Sequence, residues 1–366
     1  MKKRILLAAL LALNASANEF AFTLYHQLSE TEGNLFFSPA SIEAALAMTA
    51  EGARGETQKQ FFQTLEKNDG KFPMVGKSLT LESANALWIE QKFPILGTFE
   101  TAVTKKHDAK ISSADFIGQP NAERLKINAW VEEKTHDKIQ NLFPEGSITA
   151  LTRLVLANAI YFKGDWLHAF EKVKTTGQLF QTLENGEVEV PMMTMKPERF
   201  GYLENDCFQC LELPYKGKEV SMLIFLPKEN VELSHIENDF STAYAQPLRK
   251  TRVEIHLPRF KTASSFDLKQ SVSALGLTDA FDPNRADFSG ISETQDLFIG
   301  AAVHKAFVLV NEEGTEAAAA TGISVGVTSM PMPPKVFRAD HPFLFLIREN
   351  ASDKILFMGR ICDPSK

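Results

Sequence analysis

Residues 312–334 constrain this chain more than any other stretch. They read Glu312-Glu313-Gly314-Thr315-Glu316-Ala317-Ala318-Ala319-Ala320-Thr321, then Gly322-Ile323-Ser324-Val325-Gly326-Val327-Thr328-Ser329-Met330-Pro331-Met332-Pro333-Pro334. Taken alone, the first part has helical composition: two acids at its start, Thr315 as a cap, and a run of alanine, the strongest helix former. The sequel opposes that reading. β-Branched residues alternate there with glycine and small polar residues, and three prolines within four positions hold the backbone extended. A structureless stretch of about twenty residues is uncommon inside a compact domain unless it has a task. The fold must therefore carry this segment as an exposed loop on a base of small residues.

Gly322-Ile323-Ser324-Val325-Gly326 also matches the G-x-S-x-G nucleophile elbow, with Asp340 and His341 following in triad order. An elbow needs a buried apolar strand before the serine and a helix after it. Here Glu and Ala precede and Pro follows. Asp340 and His341 are adjacent, so on an extended segment they are expected to point apart. No catalytic residue, metal site or cofactor is expected.

The 366 residues, 44% hydrophobic and 23% charged, suffice for a large core. The net charge of −7 comes without any run of Lys and Arg to neutralise phosphates, which argues against nucleic acid as partner. At the N-terminus Lys2, Lys3 and Arg4 precede an apolar run over 5–13 and Ala15-Ser16-Ala17, the pattern of a signal peptide over 1–17 with the mature chain starting at Asn18. Secretion, to an extracellular or periplasmic space, is the expectation. No other apolar run is long enough to span a membrane. Cys207, Cys210 and Cys362 cannot all pair internally, and residues three apart on a strand face opposite ways, so three free thiols are expected.

No repeat or linker divides the chain, so a single mixed domain is preferred. Apolar spacing predicts helices over 20–28, 41–53, 57–65 and 121–142, the last with Ile127, Trp130, Val131 and Ile139 near one face, and the first half reads as mainly helical. Strands are predicted over 220–226, 253–257, 307–310, 343–347 and 355–358, the last two as a hairpin turning through Asn350 and Asp353.

Five collinear blocks then converge. Asn34-Leu35-Phe36-Phe37-Ser38-Pro39-Ala40-Ser41 with Gly52-Ala53-Arg54-Gly55, Asn158-Ala159-Ile160-Tyr161-Phe162-Lys163-Gly164-Asp165-Trp166, the hinge at 312–321, His341-Pro342-Phe343 and Phe357-Met358-Gly359-Arg360 resemble serpins in order and spacing. The resemblance runs from about residue 18 to the C-terminus. It implies an α+β serpin fold over 18–366, a single domain with about nine helices, three β-sheets and an exposed reactive-centre loop at about 312–334. It further implies a suicide-substrate inhibitor of serine proteases, not an enzyme, that traps its target as a covalent acyl complex while the cleaved loop enters the central sheet. A monomer with a polymerisation liability follows from the same open sheet. The alternative is a non-inhibitory carrier or chaperone of the same fold, and the small hinge residues separate the two.

By the resemblance, Ser38, Ser41, Asn158 and His304 form a polar cluster beneath the opening point of the sheet. Trp166, Arg259 and Glu312 sit at its top, with Arg259–Glu312 a half-exposed ion pair. Thr315, Ala317, Ala319 and Thr321 are the small side chains that would turn inward on insertion, with Glu316 left in water. Thr315 would be the first to enter, so Thr315→Arg is expected to block insertion with little effect on the native fold. The family's hinge length places the scissile bond at Thr328–Ser329, with Val327 and Met330 as the nearby alternatives. No Lys or Arg lies between Gly314 and Pro334. A trypsin-like acidic pocket would therefore find no counter-charge, and elastase- or chymotrypsin-like targets suit the loop better, with papain-like cysteine proteases also open. The segment 67–77, interrupted by Gly70, Pro73 and Gly76, argues against heparin activation. Asp137 stands where the family usually has glycine, at the end of the long helix.

Overall fold

The structure, a computed structural model, describes residues 18–65, 79–107, 109–183, 186–294, 296–315 and 333–366. Among these residues are eight α-helices and two hydrogen-bonded strand networks. The central sheet runs in the order Phe260–Asp267, Ile299–Val310, Gly314–Thr315, Leu154–Asp165, Leu79–Glu90, Lys110–Ala114. Below the short Gly314–Thr315 strand, Ile299–Val310 and Leu154–Asp165 pair directly in parallel, from Ile299 with Leu154 to Phe307 with Tyr161.

The second network carries nine strands on its path and edge, from Leu35–Phe37 through the hairpin Phe343–Glu349/Ile355–Ile361 to Lys335–Arg338. Its spine is the 18-residue strand Glu187–Glu204. One end of that strand pairs with Phe208–Pro214 and the other with Thr176–Gln181, while Arg249–Pro258 follows it through a bulge between Met195 and Glu198. The implied second and third sheets are thus continuous through one strand.

Alternation along Leu154–Asp165 explains the layers. Ile160 and Phe162 face the second network, where Phe36 stacks on Phe357 with centroids 5.3 Å apart. Ala157, Ala159 and Tyr161 face the helix Pro120–Lys134 through Ile127 and Val131. A strand buried on both faces has no polar rhythm. The helix Pro39–Ala50 starts at Ser38, whose Oγ accepts from the Ser41 amide at 3.1 Å, with Pro39 preset for the first turn.

Three expectations need correction. The first half is less helical than its composition: Leu79–Glu90 and Lys110–Ala114 are strands, and tertiary pairing overrides the helix preference of their Leu, Ala and Glu. The predicted helix over 121–142 stops at Lys134, because Thr135 Oγ1 turns back to the Val131 carbonyl at 2.8 Å and His136 and Asp137 take positive φ. Ile139 and Leu142 still reach the core, but from irregular chain, so their apolar spacing recorded burial without helix. Asp340 and His341 do not point apart; they are hydrogen-bonded at 2.8 Å, since the chain there leaves the strand before Phe343. The other imidazole nitrogen faces the Pro227 carbonyl at 3.0 Å, so the ring is committed on both sides. Burial disfavours its charged form, but the Asp340 carboxylate and that carbonyl outweigh it and raise the His341 pKa.

Asp137 occupies φ +59°, a left-handed position where glycine carries no steric penalty. Its side chain is exposed. Asp137→Gly is expected to stabilise the chain by about 0.5 kcal/mol, read as an upward shift of the urea midpoint at constant slope.

Among the described residues no disulfide joins Cys207, Cys210 and Cys362, and burial pushes the Cys210 thiol far above its usual pKa. Among the described residues no helix is long and apolar enough to cross a membrane.

Candidate functional site: hinge and sheet opening

The strand Ile299–Val310 ends at Asn311, and that residue reverses the chain. Its Oδ1 accepts from the amides of Glu313 and Gly314 at 3.0 and 3.2 Å, a local turn to which asparagine is suited. The returning Gly314–Thr315 pairs antiparallel on both sides, Thr315 with Val310 and with Gly164, and Gly314 with Asp165. Gly314 has φ +152°, and a Cβ built on it would lie 2.1 Å from the Gly164 carbonyl oxygen and 2.6 Å from Asp165 Cα. Only glycine fits such an approach.

Thr315 is fully buried between these strands. Its hydroxyl lies 3.0 Å from that of Tyr215, whose ring stacks on Trp166 at 4.5 Å between centroids. Burial drives the Tyr215 phenol well above its usual pKa, so it stays protonated and able to donate. This overturns the expectation that Thr315→Arg would leave the native fold untouched, because the first inward residue is already inside.

Trp166, Arg259 and Glu312 gather around the same turn. The Trp166 indole donates to the Asn311 carbonyl at 3.0 Å, and the amides of Trp166 and Phe170 donate to the carbonyls of Glu313 and Glu312. Glu312 is 2% exposed, not half-exposed, while the Arg259 side chain is 44% exposed. Arg259 Nη2 and Thr175 Oγ1 both donate to Glu312 Oε1, at 2.5 and 2.6 Å. Burial raises the Glu312 pKa, but these two hydrogen bonds offset it and hold the carboxyl below its usual value.

Ser38, Ser41, Asn158 and His304 are brought together lower in the sheet, all fully buried. Asn158 and His304 are register partners across the parallel pair. His304 Nε2 accepts from the Ser38 amide at 3.1 Å, so the proton sits on Nδ1 and is donated to Asn158 Oδ1. Burial lowers the His304 pKa to about 3, which keeps the ring neutral in this role. Asn158 Nδ2 donates to Ser41 Oγ at 2.8 Å, and Ser38 Oγ to the Leu356 carbonyl at 2.6 Å.

Sequence reasoning passed over Asn85, Tyr215, Thr175 and Asn311. Asn85 pairs with Asn158 across the Leu79–Glu90 strand and accepts from its amide. An asparagine inside an otherwise buried strand was the available signal. Glu316, Ala317, Ala318, Ala319, Ala320, Thr321, Thr328 and Ser329 lie outside the described residues, as do Ser324, the segment 67–77 and the leader over 1–17.

Comparison with known proteins agrees with this architecture. A family model described as serpin (serine protease inhibitor) matches residues 15–364. A leukocyte elastase inhibitor of Sus scrofa is 41% identical, over 96% of this chain and 99% of its own length. An uncharacterized serpin-like protein of Methanosarcina acetivorans is 38% identical, over 96% of this chain and 87% of its own. Among solved structures, an Arabidopsis serpin in its native stressed conformation superposes with a TM-score of 0.85 at 30% identity, covering 97% of this chain and 99% of that one. Human thyroxine-binding globulin complexed with its hormone does so with a TM-score of 0.85 at 31% identity, covering 97% of this chain and 100% of that one. The chain therefore belongs to the serpin family, described as serine protease inhibitors.

Proposed function

We propose that the chain is a suicide-substrate inhibitor of elastase- or chymotrypsin-like serine proteases, cut at Thr328–Ser329 or within two residues of it. The observation that carries this reading is the placement of Thr315, which occupies the first rung between Leu154–Asp165 and Ile299–Val310 before any cleavage. The target's serine oxygen attacks the Thr328 carbonyl, the Ser329 amine leaves with a proton, and an ester joins the two proteins. The freed loop then continues the register that Thr315 begins, one rung down on both neighbours per residue. Six residues on, Thr321 arrives at the Asn158–His304 row. Insertion separates that pair, so the polar cluster sets the resistance the loop must overcome, while the inward residues Thr315, Ala317, Ala319 and Thr321 bury no charge.

Energetically, one parallel ladder is exchanged for two antiparallel ones, and antiparallel pairs are slightly more stable per residue. At about 1 kcal/mol net per added hydrogen bond, a dozen inserted residues favour the inserted state by on the order of ten kcal/mol. The uncleaved fold is then a kinetic trap. The charged and apolar pattern over 1–17 supports an exported compartment.

A protease panel tests this. The wild type is expected to form SDS-resistant complexes with elastase or chymotrypsin and to spare trypsin, and Thr328→Arg to raise the trypsin association rate by at least about a hundredfold, since a buried acidic pocket left unpaired is heavily penalised. Multiple turnover without loss of inhibitor, or a cut outside 325–332, would sink the reading. Binding without covalent complex would favour a carrier, as in thyroxine-binding globulin.

A further inference from the structure

We propose that Arg199 and Arg252 form a docking surface for an acidic patch on the target protease, deepening the inhibitory reading on which it rests. The two arginines are direct cross-strand partners in the antiparallel pair of Glu187–Glu204 with Arg249–Pro258. Both side chains are exposed. Like charges placed directly opposite repel each other. Neither arginine has an ion-pair partner among the described residues, although the chain as a whole is acidic at −7. The next row on the same face shows the contrast: Lys250 there is matched by Glu212 at 3.3 Å, and Glu212 also takes Arg348. Among the described residues no acid pairs with Arg199 or Arg252, and Glu254, two residues along from Arg252, lies against His256 at 3.0 Å instead.

Position names the occupant. Lys335–Arg338 pairs in parallel with Arg249–Pro258, Lys335 beside Val253, so Pro334 brings the loop back to the body next to Arg252. From Ser329 to Pro334 is five residues, a reach of at most about 18 Å. A protein interface of standard size covers about 800 Å² per partner, roughly 15 Å to each side of the cut bond, so the edge of a protease seated on Thr328–Ser329 comes into the neighbourhood of the arginines. Val336, 47% exposed on the neighbouring strand, extends the patch with apolar surface. Charges at an interface rim act chiefly on the encounter rate, through steering that salt screens.

The test measures association rate constants of the full chain with an anionic and a cationic chymotrypsin, at about 50 and 500 mM NaCl. Arg199→Glu with Arg252→Glu is expected to slow the anionic enzyme about tenfold at low salt and to have little effect at high salt. The Arg199→Gln/Arg252→Gln pair is expected to fall between. Stoichiometry of inhibition, cleavage position and melting temperature should stay at wild-type values, which separates lost docking from a damaged fold. Equal low-salt rates for wild type and both variants with the anionic enzyme would overturn the proposal. So would retention on immobilised heparin that depends on these arginines while protease rates do not, because the surface would then serve a polyanion. Absence of any covalent complex with the wild type would overturn the inhibitory reading and this role together.

Discussion

A single cut between residues 322 and 329 is expected to raise the melting temperature by about 20 °C or more, where a nick in an ordinary loop lowers it. The uncut chain holds Gly314–Thr315 in the sheet and joins the two flanking strands directly below, so each further residue must displace a parallel pair to gain two antiparallel ones. Cleavage removes the tether that keeps the remaining hinge from doing so. A gain on the order of ten kcal/mol, at about 2 °C per kcal/mol for a large domain, gives the stated shift. Calorimetry before and after limited proteolysis measures it. Equal curves would mean that the loop stays out after cleavage, and would support the non-inhibitory reading.

Thr315→Arg is expected to abolish inhibition and leave a cleavable substrate, with turnover in place of a trapped complex. The site has no room for a guanidinium: Thr315 is fully buried, its hydroxyl on Tyr215 and its backbone bonded on both edges. An unpaired buried charge costs several kcal/mol, so the variant expels its hinge and starts outside the sheet. The native state then loses the rung that Thr315 supplies, and its melting temperature should fall by about 2–4 °C. Thr315→Ser keeps the hydroxyl and should inhibit normally. Stoichiometric inhibition by the arginine variant would contradict entry of the hinge at this point.

The features read most readily from sequence were those fixed by short-range chemistry. Gly314 at the turn and the C-terminal hairpin each announce themselves within a few positions, and the helix predicted over 41–53 is present, though it runs from Pro39 to Ala50. Leu79–Glu90 did not, because Ala84, Ala86, Leu87 and Glu90 favour a helix and only pairing with Leu154–Asp165 makes a strand of them. The end of the helix at Lys134 was hidden by Ile139 and Leu142, which keep helical spacing while reaching the core along irregular chain. Glu312 was recognisable as a partner of Arg259, but its burial depends on Thr175 and on carbonyl contacts to residues 166–170, nearly 150 positions away in the chain. Asn85 completes the polar cluster from a strand that no sequence signal had marked.

Under the proposed mechanism, the entry of Gly314–Thr315 into the sheet makes each molecule a one-way device. Once the loop has passed the Asn158–His304 row, return would require removing a whole strand from a completed sheet, and thermal motion does not supply that on a cell's timescale. Protection by such a protein is therefore counted in molecules and not in turnovers. Its reserve is set by how much has been made and how much has already sprung, so any change that loosens the Gly314–Thr315 rung shortens shelf life even where no protease is present.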